Sequence, residues 1–136
     1  EIFKTSGGKY IAPQMIENKI KECGLVEQVM VIGENQKYAS ALIVPSFIKL
    51  KAKYEKEGKP YPGNEEAIKN PEVRNTIQNH LNTMNKSLAQ YEGIKKFELL
   101  AKDWTVDGGE MTPKLSLKRK VIMEANKNLV AKIYNE

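Results

Sequence analysis

Two stretches of the chain carry residue types that could do chemistry, and they lie near opposite ends. Residues 6–10 read Ser6-Gly7-Gly8-Lys9-Tyr10. Two adjacent glycines permit positive φ and leave no side chain to hold another molecule off the backbone. This turn could therefore accept a thin ligand, with Lys9 and Tyr10 beside it; it could equally be a plain hairpin turn. The second stretch reads Glu110-Met111-Thr112-Pro113-Lys114-Leu115-Ser116-Leu117-Lys118-Arg119-Lys120. Its polar, proline-bearing first half predicts an extended segment. Side chains two apart in extended chain point the same way, so Lys114, Ser116 and Lys118 are expected to share a face. The competing reading for Lys114, Arg119 and Lys120 is a solvated basic strip ahead of a helix.

The elements that must position these stretches follow from periodicity. Residues 2–6 read as a short strand, Gly7-Gly8 breaks it, and Tyr10-Ile11 resumes an extended path. Pro13 suits the first turn of a helix, where its missing N–H would be unpaired anyway. That helix places Ile16, Ile20 and Cys23 on one stripe, with Glu17, Lys19, Lys21 and Glu22 on other faces, and Gly24 ends it. Residues 26–32 are rich in β-branched side chains and predict a strand, turned by Gly33-Glu34-Asn35 into a second strand over 40–44 that stops at Pro45. From Ser46 a helix carries Phe47, Leu50 and Tyr54. A loop follows at 58–63. Asn70-Pro71 is a cap and first position for a long helix with Val73, Ile77, Leu81, Met84 and Leu88 inward, closed by Gly93. Residues 94–100 return to strand character, Trp104 is expected to cover one end of the core, and Asp107-Gly108-Gly109 is a turn. A final helix is expected to bury Val121, Ala125, Leu129 and Ile133. The sum is an α+β domain: a small, mainly antiparallel sheet of three central strands plus an N-terminal hairpin, flanked by helices.

Composition narrows the function classes. The chain has 136 residues, enough for one domain with a real core, and 40% hydrophobic with 29% charged residues is ordinary globular usage. No window approaches about 18 uninterrupted apolar residues, so no transmembrane segment is expected. The first residues show no signal-peptide pattern. The single cysteine, Cys23, fits a reducing cytoplasm and a buried apolar role. There is no metal-ligand cluster, no Ser/His/Asp set and no phosphate-binding loop of the Gly-x-x-x-x-Gly-Lys-Ser/Thr type. His80, beside Leu81, reads as structural. The net charge of +5 favours an anionic partner: a phosphate-bearing ligand, nucleic acid, or an anionic membrane that the domain meets peripherally. The lysines between 49 and 59 read as a solvated helix face.

The run Lys4-Thr5-Ser6-Gly7-Gly8-Lys9-Tyr10-Ile11-Ala12-Pro13-Gln14-Met15-Ile16-Glu17 resembles the loop that opens the C-terminal domain of AMP-forming acyl-CoA synthetases, in their long-chain fatty-acid branch. Residues 110–120 resemble that domain's second signature, Thr-Pro-Thr-Leu-Lys-x-Lys-Arg. The resemblance implies that residues 1–136 are one C-terminal lid domain, that Glu1 lies at or just after the hinge, and that a large N-terminal adenylation domain is its partner. It implies two-step ligase chemistry with fatty acid, ATP with Mg²⁺, and coenzyme A. The large domain would bind ATP and Mg²⁺. The fragment alone would be inactive. Ser6, Gly7, Gly8, Lys9 and Tyr10 would meet the pantetheine arm of coenzyme A. The family's catalytic lysine aligns with Ser116 here, so Lys118 and Lys114 are the candidate substitutes. Lys118 is favoured because Lys118-Arg119 matches the signature directly. An ammonium suits the role as a compact charge at a developing phosphate anion.

Two other classes compete. A basic α+β nucleic-acid-binding module would use the charge, but basic and aromatic residues interleaved on one strand face, as stacking needs, are not seen in the sequence. A degenerate interaction or regulatory domain is kept open by Ser116.

Overall fold

The computed structural model describes residues 1–135. The opening strands β1 (Phe3–Lys4) and β2 (Tyr10–Ile11) pair antiparallel across the glycine turn. Ile11 is fully buried, and Pro13 then begins α1 (Pro13–Ile20). The β-branched stretches form β3 (Val26–Ile32) and β4 (Ala39–Pro45), paired antiparallel with Val29 opposite Ile43. Ser46 caps α2 (Phe47–Lys56), its hydroxyl accepting from the Lys49 amide. A short α3 (Asn64–Ala67) follows the expected loop, and Asn70 caps α4 (Pro71–Asn85) through the Glu72 amide. A 3₁₀ turn (Gln90–Glu92) leads into β5 (Ile94–Leu99), and the chain closes with α5 (Arg119–Ala125) and α6 (Lys127–Tyr134).

The three-stranded sheet has the order β3-β4-β5, with every residue of the central β4 buried. β5 lies parallel to β4, with Ala41 opposite Phe97. A parallel neighbour requires a crossover, and the helices α2, α3 and α4 between the two strands supply it. Two pairings, β1–β2 and β3–β4, are antiparallel, as the sequence suggests for most of the sheet.

The long helix stops at Asn85 rather than continuing to Leu88. The Asn85 side chain then brackets Ile94, accepting from its amide and donating to its carbonyl, both at 3.0 Å. His80 is structural as expected, its Nε2 lying 3.0 Å from the Lys19 carbonyl on α1. The C-terminal helix corrects the expected stripe. Ile122, Val130 and Ile133 are buried, whereas Val121 and Ala125 are exposed and Leu129 is half-buried. Asn126 leaves helical geometry at φ −117°, ψ 22°, so the helix divides in two and the inward phase resets.

Candidate functional site

The glycine turn is built on Thr5, whose side chain is buried. The Thr5 amide donates to the Lys9 carbonyl at 2.9 Å, the Gly8 amide to the Thr5 carbonyl at 3.0 Å, and the Lys9 amide to Thr5 Oγ1 at 3.2 Å. Two more backbone bonds, Ser6 N–H to the Gln36 carbonyl and Asn35 N–H to the Lys4 carbonyl, tie the hairpin to the β3–β4 turn. Ser6, Gly7, Gly8, Lys9 and Tyr10 are all exposed. Gly8 needs its glycine for conformation, since φ is +84° while an added Cβ would meet nothing within 4 Å. A Cβ at Gly7 would meet only Thr5 Oγ1, at 3.9 Å. The outer side of the turn is bare, rigidly held backbone.

Two cation–π contacts border it. Lys4 Nζ lies 5.9 Å from the Tyr10 ring centre and Lys9 Nζ 5.4 Å from that of Tyr91, on the 3₁₀ turn. The fold thus brings basic and aromatic side chains together where the sequence did not place them side by side. Tyr91 lies some eighty positions downstream of the turn and carries no motif, so only tertiary structure discloses it.

The second stretch is not extended, which corrects the expected shared face of Lys114, Ser116 and Lys118. Met111 bridges Leu117, Thr112 N–H donates to the Ser116 carbonyl, and Leu115 N–H donates back to the Thr112 carbonyl. The chain reverses over 112–116, with Leu115 in the left-handed region at φ +64°. Lys114 stands in the tip of this turn. Lys118 stands at its base as the residue capping α5, its amide bonded to the Glu110 carbonyl at 2.8 Å. Among the described residues, no hydrogen bond or ion pair engages either lysine side chain. The base is anchored upstream by Trp104, whose backbone exchanges two hydrogen bonds with the Gln28 side chain at 2.8 and 2.9 Å.

Arg119 is no solvated strip residue. Its Nη1 and Nη2 donate to Glu17 at 2.7 and 2.8 Å, and its Nε reaches Glu1 at 2.9 Å. Glu17 is only 5% exposed and also accepts from the Val31 amide at 2.8 Å, so the carboxylate closes part of the free edge of β3. The hydrogen bonds to Glu17 hold the Arg119 pKa above its ordinary value. Glu17 was expected on a face other than the apolar stripe. Pro13, Ile16, Glu17 and Ile20 are the buried residues of α1, the spacing i, i+3, i+4, i+7 of one helix face, and that spacing was the available signal. Glu1 and Arg119 also line an open groove of about 670 Å³, with Phe3, Ile32, Met123 and Val130 among its walls.

An open glycine turn and a basic hairpin thus sit on a small α+β scaffold, tied together by the Glu17–Arg119 ion pair. The chain belongs to the AMP-binding enzyme C-terminal domain family, which it matches over residues 1–136. It is 31% identical over 139 residues to long-chain-fatty-acid–CoA ligase FadD15 of Mycobacterium tuberculosis, covering 100% of this chain and 23% of that enzyme. Human long-chain-fatty-acid–CoA ligase 1 is 30% identical over 138 residues, covering 98% and 20%. The chain therefore spans about a fifth of the length of these acyl-CoA ligases. In fold it is similar to the adenylation domain of a carboxylate reductase from Mycobacterium chelonae, with a TM-score of 0.79, 22% identity, and coverage of 99% of this chain and 19% of that one.

Proposed function

We propose that this domain is the C-terminal lid of a long-chain fatty-acid–CoA ligase, joined near Glu1 by a hinge to an N-terminal adenylation domain. In the first step a fatty-acid carboxylate oxygen attacks the α-phosphorus of ATP and pyrophosphate leaves. In the second, the sulfur of coenzyme A attacks the acyl carbonyl and AMP leaves. The observation that carries this reading is the glycine turn: a backbone fixed by Thr5 yet bare on its outer side accepts the thin pantetheine arm, which a side chain at Gly7 would obstruct. Lys9 and Tyr10 flank that path with a charge and a ring for the anionic, polar ligand.

ATP and its Mg²⁺ belong to the large domain in this scheme. Among the described residues no group of three or more His, Cys, Asp or Glu side chains could hold a metal ion. Among the described residues no helix is long and apolar enough to cross a membrane. A buried, unpaired Cys23 supports a cytoplasmic setting, and the net positive charge supports peripheral contact with anionic membranes. A second reading, a domain that has lost catalysis, is favoured by Ser116 alone. The test is to assay the full-length protein carrying this domain for acyl-CoA formation from a long-chain fatty acid, ATP, Mg²⁺ and coenzyme A. Thioester and AMP production supports the reading; nucleotide-independent binding to oligonucleotides with no thioester formation would refute it.

A further inference from the structure

The lysines between 49 and 59 read in sequence as a solvated helix face, and the fold gives that face two properties the sequence leaves open: it is held in place, and it carries an exposed isoleucine. Phe47 and Leu50 are buried and Tyr54 is half-buried, so one side of α2 is committed to the core. Lys53 ties the flank of the helix to Glu57 and, at 2.7 Å, to Glu72 on α4. Tyr54 Oη accepts from the Asn70 side chain at 3.0 Å. These bonds stop α2 from rolling to bury its outer side.

Outward, Ile48, Ala52 and Lys56 follow one another at i, i+4 and i+8, with Lys49 beside them. Ile48 is 82% exposed, more than any other large hydrophobic side chain among the described residues. Among the described residues, no hydrogen bond or ion pair engages the Lys49 or Lys56 side chain. Lys49 Nζ stands 3.2 Å from where a Cβ on Gly24 would lie, so the basic face runs on toward exposed Lys21 at the end of α1. The acidic groups nearby are mostly spoken for: Lys53 holds Glu57 and Glu72, and Glu55 is the one acidic residue within α2 itself.

A cationic face with an apolar side chain standing out of it suits a bilayer surface. Ammonium groups meet lipid phosphates, while the apolar side chain leaves water for the boundary between headgroups and acyl chains. A nucleic acid would use the lysines but not Ile48, and the rings on which its bases would stack are engaged elsewhere. Tyr54 and Tyr61 pack edge to face with ring centres 5.5 Å apart, and Lys51 Nζ lies 5.7 Å from the Tyr61 ring centre. We propose that the outer face of α2 docks on anionic phospholipid bilayers, with Ile48 entering the headgroup boundary and Lys49 and Lys56 meeting the phosphates. The inference deepens the ligase reading above and rests on it for its purpose: a long-chain fatty acid partitions into bilayers, and a domain held at that surface keeps the enzyme beside its substrate.

The test sediments the full-length protein carrying this domain with vesicles of equimolar phosphatidylcholine and phosphatidylglycerol, and with vesicles of phosphatidylcholine alone. Binding is expected to the first, weakened by added salt, and to be far weaker to the second. Lys49→Ala and Lys56→Ala are each expected to weaken it about fivefold, and Ile48→Ser about fivefold or more. Ile48→Trp is expected to tighten it, a gain that misfolding cannot produce. Wild-type protein that binds neither vesicle, that binds both equally, or whose binding none of the α2 variants alters overturns the proposal. Tighter binding to a single-stranded oligonucleotide than to the mixed vesicles overturns it in favour of a nucleic acid. The ligase reading is measured apart, as acyl-CoA formation from detergent-dispersed fatty acid without vesicles, and the α2 variants are expected to keep the wild-type rate there. A wild type that binds the mixed vesicles through α2 but forms no thioester refutes the ligase reading and leaves the lipid surface standing.

Discussion

Glu17 and Arg119 meet as a bidentate pair, two parallel bonds of 2.7 and 2.8 Å between a buried carboxylate and a guanidinium 102 residues away. The pair joins the helix that follows the glycine turn to the helix that follows the basic hairpin. Both candidate working parts are therefore referred to one point, and Arg119 extends that point to Glu1.

Removing the carboxylate should expose how much depends on that point. Glu17→Ala leaves a partly buried guanidinium with only the exposed Glu1 carboxylate as partner and the Val31 amide unpaired, a combination that costs about 3 kcal/mol. Arg119→Lys keeps the charge but loses the fork, and should cost about half as much. Denaturant midpoints of the two variants check the order. Equal stability for Glu17→Ala and wild type would show that the pair holds nothing.

The glycines separate conformation from space. Gly8→Ala meets no atom but must keep φ +84°, a cost of about 1 kcal/mol that Gly8→Asn should largely recover. Gly33→Ala must keep φ +149° and also meets Phe3, Tyr38 and Ala39 atoms at 3.1 Å. It should cost at least about 1 kcal/mol more than Gly8→Ala. Thermal unfolding of the three variants tests the ranking.

Alkaline stability should report on Tyr134. Burial raises its pKa to about 12, and its hydroxyl donates to the Tyr38 carbonyl at 3.0 Å. An unfolded tyrosine ionises near about 10. The neutral phenol therefore favours the fold below pH 10, and that contribution is lost as pH rises toward 12. Tyr134→Phe cannot ionise, so its stability should fall less steeply over the same window in denaturant titrations.

Much of the fold was readable because its signals are local. The β-branched runs gave β3 and β4, and Asn70-Pro71 marked the start of α4. The glycine turn was equally plain from Gly7-Gly8. What escaped depends on distant partners. Arg119 looks like one of three consecutive basic residues until Glu17 is placed against it, and Tyr91 has no local mark at all. The misread hairpin at 112–116 is instructive: Thr112-Pro113 suggests extension, and a leucine gives no hint of a positive φ. The shifted stripe of the last helix has a similar origin, since Asn126 breaks a pattern that looks continuous.

The central claim is that the bare glycine turn serves the thioester-forming step, and Gly7→Phe tests it most directly. A Cβ at Gly7 has room within the domain and its φ lies outside the left-handed region, so the fold should tolerate the substitution. Any effect then falls on a molecule lying against the turn. In the full-length protein the account predicts that Gly7→Phe keeps pyrophosphate exchange within about 3-fold of wild type while thioester formation from acyl-adenylate falls by about 100-fold or more. Thioester formation at the wild-type rate in a stably folded Gly7→Phe variant would contradict it.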